Sequence, residues 1–482
     1  MSQLSPTQAR ITSLTLAWLA AVPVGATLRA GTPLTAAAPA TQRQGAPAWP
    51  TTALSLQNVL ELGLQQSPSI LKGKQDIEES LGVVVQLKSA ARPQVTASGA
   101  VNSLDSGRIE AAPFGGPGGI KFQSDKNWNT AIQVSQPLYA GGRIAASLRS
   151  AKWTREAALA SYQALVEETL LNLRIAYEDV LLASEQIKTQ EASVRLLEQE
   201  LADVRRRFDA GTVPRFNVLR AEVELGSAKP RLFRARNAHR IAKNNLATQL
   251  GWNTPNDGVE DIPLQLSGKL EAQSADPSLS QAIGLALAHR PELTALRAQE
   301  SNRGEEVTQA KAGRLPVVSA FGGWGWQSRT FTDDFSGHVD GWNVGARVDW
   351  AIWDSGLTQG KVDAAKARRQ KAHLEIDDTT RKIELEVRTA HSNFHEAREV
   401  LESQARVIEQ AEEALRLANA RAEAGSGTQL DVLSAQTALT ETRSTYSQAL
   451  RDHAVAWARL ERAMGEATLL RADADAGAKS KP

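Results

Sequence analysis

The chain has 482 residues, sets 55 Lys and Arg against 54 Asp and Glu for a net charge of +1, and contains no cysteine. So even a balance excludes the global field that draws a protein to nucleic acid or to an anionic surface, and no nucleic-acid partner is expected. The missing cysteine removes disulfides, thiolate metal sites, cysteine nucleophiles and a lipid-bearing cysteine anchor.

The first element is a targeting segment. Arg10 precedes the apolar run "ITSLTLAWLAAVPVGA" from Ile11 to Ala26. That run has the length of a signal-peptide core and falls short of the roughly 20 residues a spanning helix needs. Residues 1–26 therefore read as a signal peptide with an unfixed cleavage site, the alternative being a disordered amphipathic leader. Residues 27–52, rich in Ala, Pro and Thr, read as a disordered linker. No other segment approaches about 18 consecutive apolar residues.

Two halves follow. Gly211 of "AGTVPRFNVL" aligns with Gly425 of "AGSGTQLDVL", Tyr139 of "QPLYAGG" with Trp353 of "WAIWDSG", and Gly251 of "QLGW" with Gly465 of "AMGE". All three pairs share one offset (425 − 211 = 214). Nearer the start of each half, Pro68 aligns with Pro291 and Pro93 with Pro316 at an offset of 223 (291 − 68). The extra residues lie between Pro93 and Tyr139, where "APFGGPGGIKF" offers a loop that tolerates insertion. The chain is an internal duplication: a first repeat over 53–252, a connector over 253–276, a second repeat over 277–466, and a disordered tail over 467–482.

Each repeat opens with a short helix, Leu54 to Gln66 or Ser278 to His289, and a longer one that stops at the Pro93 or Pro316 signal. The period then changes. "WNTAIQVSQPLY" puts Trp128, Thr130, Ile132, Val134, Gln136 and Leu138 on one face and Asn129, Gln133 and Ser135 on the other. "WNVGARVDWAIW" does the same with Trp342, Val344, Ala346, Val348, Trp350 and Ile352 against Asn343, Arg347 and Asp349. Alternation of this kind predicts strands, about 93–104 and 128–139 in the first repeat and about 316–328 and 342–353 in the second. Each is long enough to cross a bilayer as a tilted strand, for which about nine to eleven residues suffice. Trp128, Tyr139, Trp324, Trp326, Trp342, Trp350 and Trp353 are candidate membrane-interface aromatics. A small soluble sheet remains the alternative. If the strands span a membrane, four cannot close a barrel, so several chains must pool them; three would give twelve.

Long helices follow, from Gly142 to Asp209 and from Gly356 to Ala424, each on the order of 100 Å at about 1.5 Å per residue. Their narrow, alanine-rich stripes suit close helix packing in a coiled coil or tube wall. Returning helices run from Phe216 to Leu250 and from Leu430 to Met464, with a kink expected at Gly226 and Pro230.

No catalytic arrangement accompanies these elements. The glycines at Gly115 to Gly119 lack the strand–turn–helix setting and the Lys-Ser/Thr of a phosphate cradle. His391 and His395 sit four apart and could share a metal ion, or be two packed or solvated histidines. No cofactor, metal or enzyme activity is expected.

The carriers "SQPLYAGGR" (Ser135 to Arg143), "FDAGTVPRFNVLRAE" (Phe208 to Glu222), "AEAGSGTQLDVLSAQ" (Ala422 to Gln436) and the closing "LGW" and "MG" occur in order in the two halves. In this the chain resembles the TolC-like outer-membrane factors. The resemblance implies a mainly α fold with membrane β: a long coiled-coil α-helical barrel continuous with a 12-stranded trimeric β-barrel, four strands per chain. It also implies a place in the outer membrane of a Gram-negative bacterium, projecting into the periplasm. There the protein would be the passive exit duct of a tripartite efflux pump or type I secretion system. Implied partners are two further copies in a homotrimer, the lipid bilayer, a periplasmic membrane-fusion adaptor and an inner-membrane pump of RND, ABC or MFS type. Gly211, Thr212, Val213, Pro214 and Arg215, with Gly425, Ser426, Gly427, Thr428 and Gln429, match the adaptor-contact turns. Asp431 matches an aspartate that narrows the periplasmic gate, while Ser434 stands where a second aspartate is found and Gly427 where some members carry arginine. Asp431 also reads as a capping residue near a helix start. A pore-less periplasmic coiled-coil adaptor is the alternative function.

Overall fold

A computed structural model describes residues 52–105, 111–112, 120–121, 126–252, 261–272, 277–329 and 337–466. The expected signal peptide, all but the last residue of the linker, Gly115 to Gly119, residues 253–260 and 273–276 of the connector, and the tail lie outside those residues. All described residues belong to one compact unit, 49–482.

The first repeat supplies α1 (Leu56–Gln66), α2 (Pro68–Ser89), α3 (Arg143–Asp209) and α4 (Arg215–Gln249). The second supplies α5 (Leu279–His289), α6 (Pro291–Lys311), α7 (Leu357–Glu423) and α8 (Gln429–Ala463). α3 and α7 are each 67 residues long, and α4 and α8 each 35. The duplication in the sequence is thus a duplication of structure. Pro230, the expected kink site, lies inside an unbroken α4. The carbonyl deprived of its helical donor is that of Gly226, which is exposed to water.

The helices stand side by side in two tiers. Near the sheet the order is α2, α3, α6, α7; toward the turns it is α4, α3, α8, α7. α3 and α7 run through both tiers. α4 ends where α2 begins: Gly251 has φ +78°, and a Cβ there would lie 2.8 Å from the Gln66 carbonyl oxygen and 3.1 Å from Pro68 Cδ. Gly465, φ +73°, abuts His289 and Arg290 at the start of α6 in the same way. The "LGW" and "MG" motifs are therefore close-approach glycines at two helix splices, each setting a helix C-terminus against an N-terminus.

Each splice has its own core. Val59, Ile70, Leu173, Leu246 and Leu250 fill the first, roofed by Ile262 and Leu264 of the connector. Leu54, expected in α1, instead bridges Leu266, and Ser55 caps the helix by accepting from the Asn58 N–H. At the second splice Phe394, Leu293 and Leu460 pack under a charge network. Arg462 pairs with Glu386 at 2.6 Å, Glu292 at 3.1 Å and Glu168 at 3.2 Å, and buried Arg290 with Glu386 at 2.8 Å.

Burial also perturbs Glu178 of α3, which is 8% exposed. Desolvation pushes its carboxyl up to about 7, against the pull of Arg174 and Arg451. The folded chain therefore holds this proton more tightly than the unfolded one, so stability falls as pH rises from about 4.5 to 7. Glu178→Gln should flatten that slope and, above pH 7, raise stability by on the order of 2–3 kcal/mol. Denaturant unfolding of both proteins at pH 5 and pH 8 measures it; equal slopes would refute the burial account.

The strands are β1 (Gln94–Ser103), β2 (Ala111–Ala112), β3 (Ile120–Lys121), β4 (Lys126–Ala140), β5 (Val317–Ser328) and β6 (His338–Asp349). β2 and β3 form a small ladder in the first hairpin that the sequence pattern did not signal. The others make one antiparallel sheet ordered β1-β4-β5-β6. Cross-strand rows confirm the alternation: Ala97–Ile132–Trp324–Trp342 and Val95–Val134–Gly322–Val344 lie on one face. Thr96–Gln133–Gly323–Asn343 and Ser319–Arg347 lie on the other. Two details depart from expectation. A bulge between Pro137 and Tyr139 puts Leu138 out of register and pairs Tyr139 with Val318, on the apolar face. β6 spans His338–Asp349, not 342–353. Its chain leaves the ladder because the Trp350 indole N–H donates to the Arg314 carbonyl and Asp354 caps α7 through the Gly356 and Thr358 N–H groups.

Candidate functional site: the sheet face and the two helical turns

The apolar sheet face meets no core. Val95, Val101, Ile132, Trp342, Val344 and Val348 are all exposed, Val344 by 72%. The opposite face carries Asn129, Gln133, Ser135, Asn343, Arg347 and Asp349. The expected interface aromatics separate into two levels. Trp128, Trp324, Trp326 and Trp342 lie toward the end of the sheet remote from the helices; Tyr139, Trp350 and Trp353 lie at the helical end. Trp350 follows Trp342 by eight positions, on the order of 25 Å along the strand and about 20 Å along the axis of a barrel with tilted strands, close to the height of a membrane barrel's apolar band. An exposed apolar belt bounded by aromatics has the pattern of a lipid-facing barrel wall.

At the far end of the rods, both turns use a left-handed glycine: Gly211 has φ +73° and Gly425 φ +72°. In the first, the Thr212 N–H and hydroxyl both donate to the Arg207 carbonyl, at 2.9 and 2.8 Å. Val213 is half-buried, and Pro214 precedes α4 without a side-chain cap. In the second, the Ser426 and Gly427 N–H groups both reach the Arg421 carbonyl at 2.9 Å. This wraps the turn so tightly that a Cβ on Gly427 would lie 2.9 Å from Arg421 Cβ. Gly427 is thus required by the local fold.

Asp431 is exposed and closes a capping box on Thr428. Its carboxylate accepts from the Thr428 N–H at 2.9 Å and hydroxyl at 2.7 Å, while the Asp431 N–H donates to that hydroxyl at 3.2 Å. These bonds from Thr428, backbone first, hold its carboxyl below the usual aspartate range. The capping reading of Asp431 therefore holds. The first turn cannot copy it, because Pro214 has neither N–H nor hydroxyl. Ser434, one turn on, is exposed.

The turns are joined by contacts that sequence reasoning missed. The Gln429 side-chain amide donates to Glu200 of α3 at 3.2 Å, and Leu433 buries among Val194, Leu197 and Leu232. A groove of about 690 Å³ runs between them, lined by Glu200, Asp203, Arg207, Asn217, Glu423 and Gln429. These partners lie more than 200 residues apart in the chain, so no local pattern announced them.

His391 and His395 do come together, with Nε2 atoms 3.3 Å apart. The Arg398 guanidinium, a donor only, faces His395 Nδ1 at 3.1 Å, and the Pro277 carbonyl, an acceptor only, faces His391 Nε2 at 3.2 Å. The two rings pack with centroids 4.4 Å apart, each with a polar partner of its own. Among the described residues no group of three or more His, Cys, Asp or Glu is placed to hold a metal ion, and no helix is long and apolar enough to cross a membrane.

Comparison with known proteins matches this geometry. The profile of the family described as "Outer membrane efflux protein" matches residues 59–252 and 282–466. Alkaline protease secretion protein AprF of Pseudomonas aeruginosa is 24% identical over 70% of each chain. Outer membrane efflux protein BepC of Brucella suis is 25% identical over 79% of this chain and 78% of its own. The fold is similar to the crystal structure of the outer membrane protein VceC from Vibrio cholerae, with a TM-score of 0.68 at 20% identity, covering 85% of this chain and 96% of that one. The pore-less adaptor alternative falls with these matches, as does any enzyme reading. The chain belongs to the outer membrane efflux protein family, a channel-forming protein of the Gram-negative outer membrane.

Proposed function

We propose that three copies assemble into a passive conduit, a twelve-stranded barrel in the outer membrane on a helical tube in the periplasm. One observation carries the reading: a four-stranded sheet, apolar and exposed on one face and polar on the other, has β1 and β6 as unpaired edges and continues into rods about 100 Å long. Pairing β6 of each copy with β1 of the next closes the sheet and encloses the polar face around water. The turns at Gly211–Arg215 and Gly425–Gln429 then gather at the periplasmic mouth, where a membrane-fusion adaptor biases them toward an open state. The inner-membrane pump, of RND, ABC or MFS type, supplies the energy. Asp431 of three copies lines the mouth and Ser434 widens it. The cargo class, drug, metal ion or polypeptide, is set by that pump.

Conductance across a planar bilayer tests the conduit. The purified protein should give discrete channel steps, blocked from the mouth side by divalent cations. Asp431→Ala should weaken that block severalfold; unchanged block removes Asp431 from the mouth. Recovery of the protein in soluble periplasm without detergent would sink the whole reading.

A further inference from the structure

The row α4-α3-α8-α7 leaves α4 and α7 with one uncovered flank each. α4 buries Ala221, Ala228, Leu232 and Ala235 on α3, yet bears a second heptad-spaced stripe, Phe216, Leu219, Val223 and Phe233, that is exposed. α7 buries Phe394 and Leu401 but exposes Val400, Val407 and Leu417. Arg231 and Arg234 on α4, and Glu396 and Glu399 on α7, have no ion-pair partner among the described residues.

The duplication supplies a register for joining these flanks. Within the chain, α3 meets α8 with Arg451 on Asp179 at 2.6 Å and Gln429 on Glu200. In a ring of repeats, α7 stands to α4 of the next copy as α3 stands to α8. Carrying Arg451–Asp179 over by the repeat offset sets Asn237 opposite Asn393 (451 − 214 = 237; 179 + 214 = 393). The Gln429–Glu200 contact gives the same alignment to within one residue (429 − 214 = 215; 200 + 214 = 414). Antiparallel from there, Val223 aligns with Val407, Pro230 with Val400, Arg231 with Glu399 and Arg234 with Glu396. The apolar and charge matches are independent of the two contacts that define this register.

We propose that α7 of each copy docks on α4 of the next in this register, and that the Arg231–Glu399 and Arg234–Glu396 pairs fix it. The inference rests on the three-copy assembly above. It adds that charge helps to specify the joint between copies, as Arg451–Asp179 and Arg462–Glu168 do beside Leu433 within a copy.

The cysteine-free chain makes the test direct. The full-length protein carrying Val223→Cys and Val407→Cys, purified in detergent and oxidised, should give covalent dimers and trimers on a non-reducing gel; neither single variant should exceed a dimer. A trimer by light scattering that does not crosslink overturns the register and leaves the assembly standing. A monomer overturns both, and a crosslink confined to the monomer band overturns the arrangement of α4 and α7. In the same background, Arg231→Glu with Arg234→Glu should cut crosslinking at least fivefold, and adding Glu396→Arg with Glu399→Arg should restore it. Undiminished crosslinking after the first pair removes the ion pairs from the proposal.

Discussion

Gly251→Ala should destabilise the protein by on the order of 3–5 kcal/mol, several times the cost of the same change at Gly211. Both glycines occupy the left-handed region, φ +78° and φ +73°, where a Cβ costs about 1–2 kcal/mol. Their surroundings differ. A methyl group at Gly211 meets nothing within 4 Å, whereas at Gly251 it lies 2.8 Å from a backbone oxygen at the α1–α2 junction. Backbone cannot swing aside as a side chain can, so the splice must open and loosen the core of Leu246 and Leu250. Denaturant unfolding of the two variants in detergent measures the difference. Equal losses would mean that the splice is not tightly packed.

Val344→Arg should cost about 2–4 kcal/mol and deplete the protein from outer-membrane fractions, while Asn343→Arg next to it should be tolerated. Val344 lies on the exposed apolar face with Val95 and Val134, and Asn343 on the polar face with Gln133. A guanidinium at bilayer depth carries that penalty on the lipid side of a barrel and little on the water side. Heat-modifiability on gels and membrane recovery read the first effect. A shift of conductance toward anions reads the second. If both variants assemble equally, the apolar face does not meet lipid.

Much of this architecture was legible because its signals are periodic. Alternation gave the strands and their faces, the unbroken runs after Gly142 and Gly356 gave the rods, and the repeat offset gave two copies of each. The boundaries were less so where a single long-range bond decides them. β6 ends at Asp349 because the Trp350 indole finds the Arg314 carbonyl, and α1 begins late because Leu54 pairs with Leu266. At the turns, Gly211 and Gly425 were visible as chain reversals, and the Thr-x-x-Asp spacing of Thr428 and Asp431 was visible as a cap. The Gln429–Glu200 bond was not, since its partner comes from the opposite repeat, nor was the Arg462 network, whose partners Glu168, Glu292 and Glu386 lie on three other helices and carry no mutual spacing. Gly427 looked like the loss of an arginine; only the 2.9 Å approach to Arg421 shows why that site takes no side chain.

The splices at Gly251 and Gly465 have a mechanical consequence. α3 and α7 are single rods from sheet to turns, while the positions between them are filled by two shorter pieces meeting end to end, α4 with α2 and α8 with α6. A torque applied at the turns travels up the covalent rods but meets a dry joint in every second stave. Such a joint slips at the cost of side-chain contacts, without stretching any backbone hydrogen-bond ladder. The tube is therefore stiff along its length and compliant to twist at one height, the level where the two glycines sit.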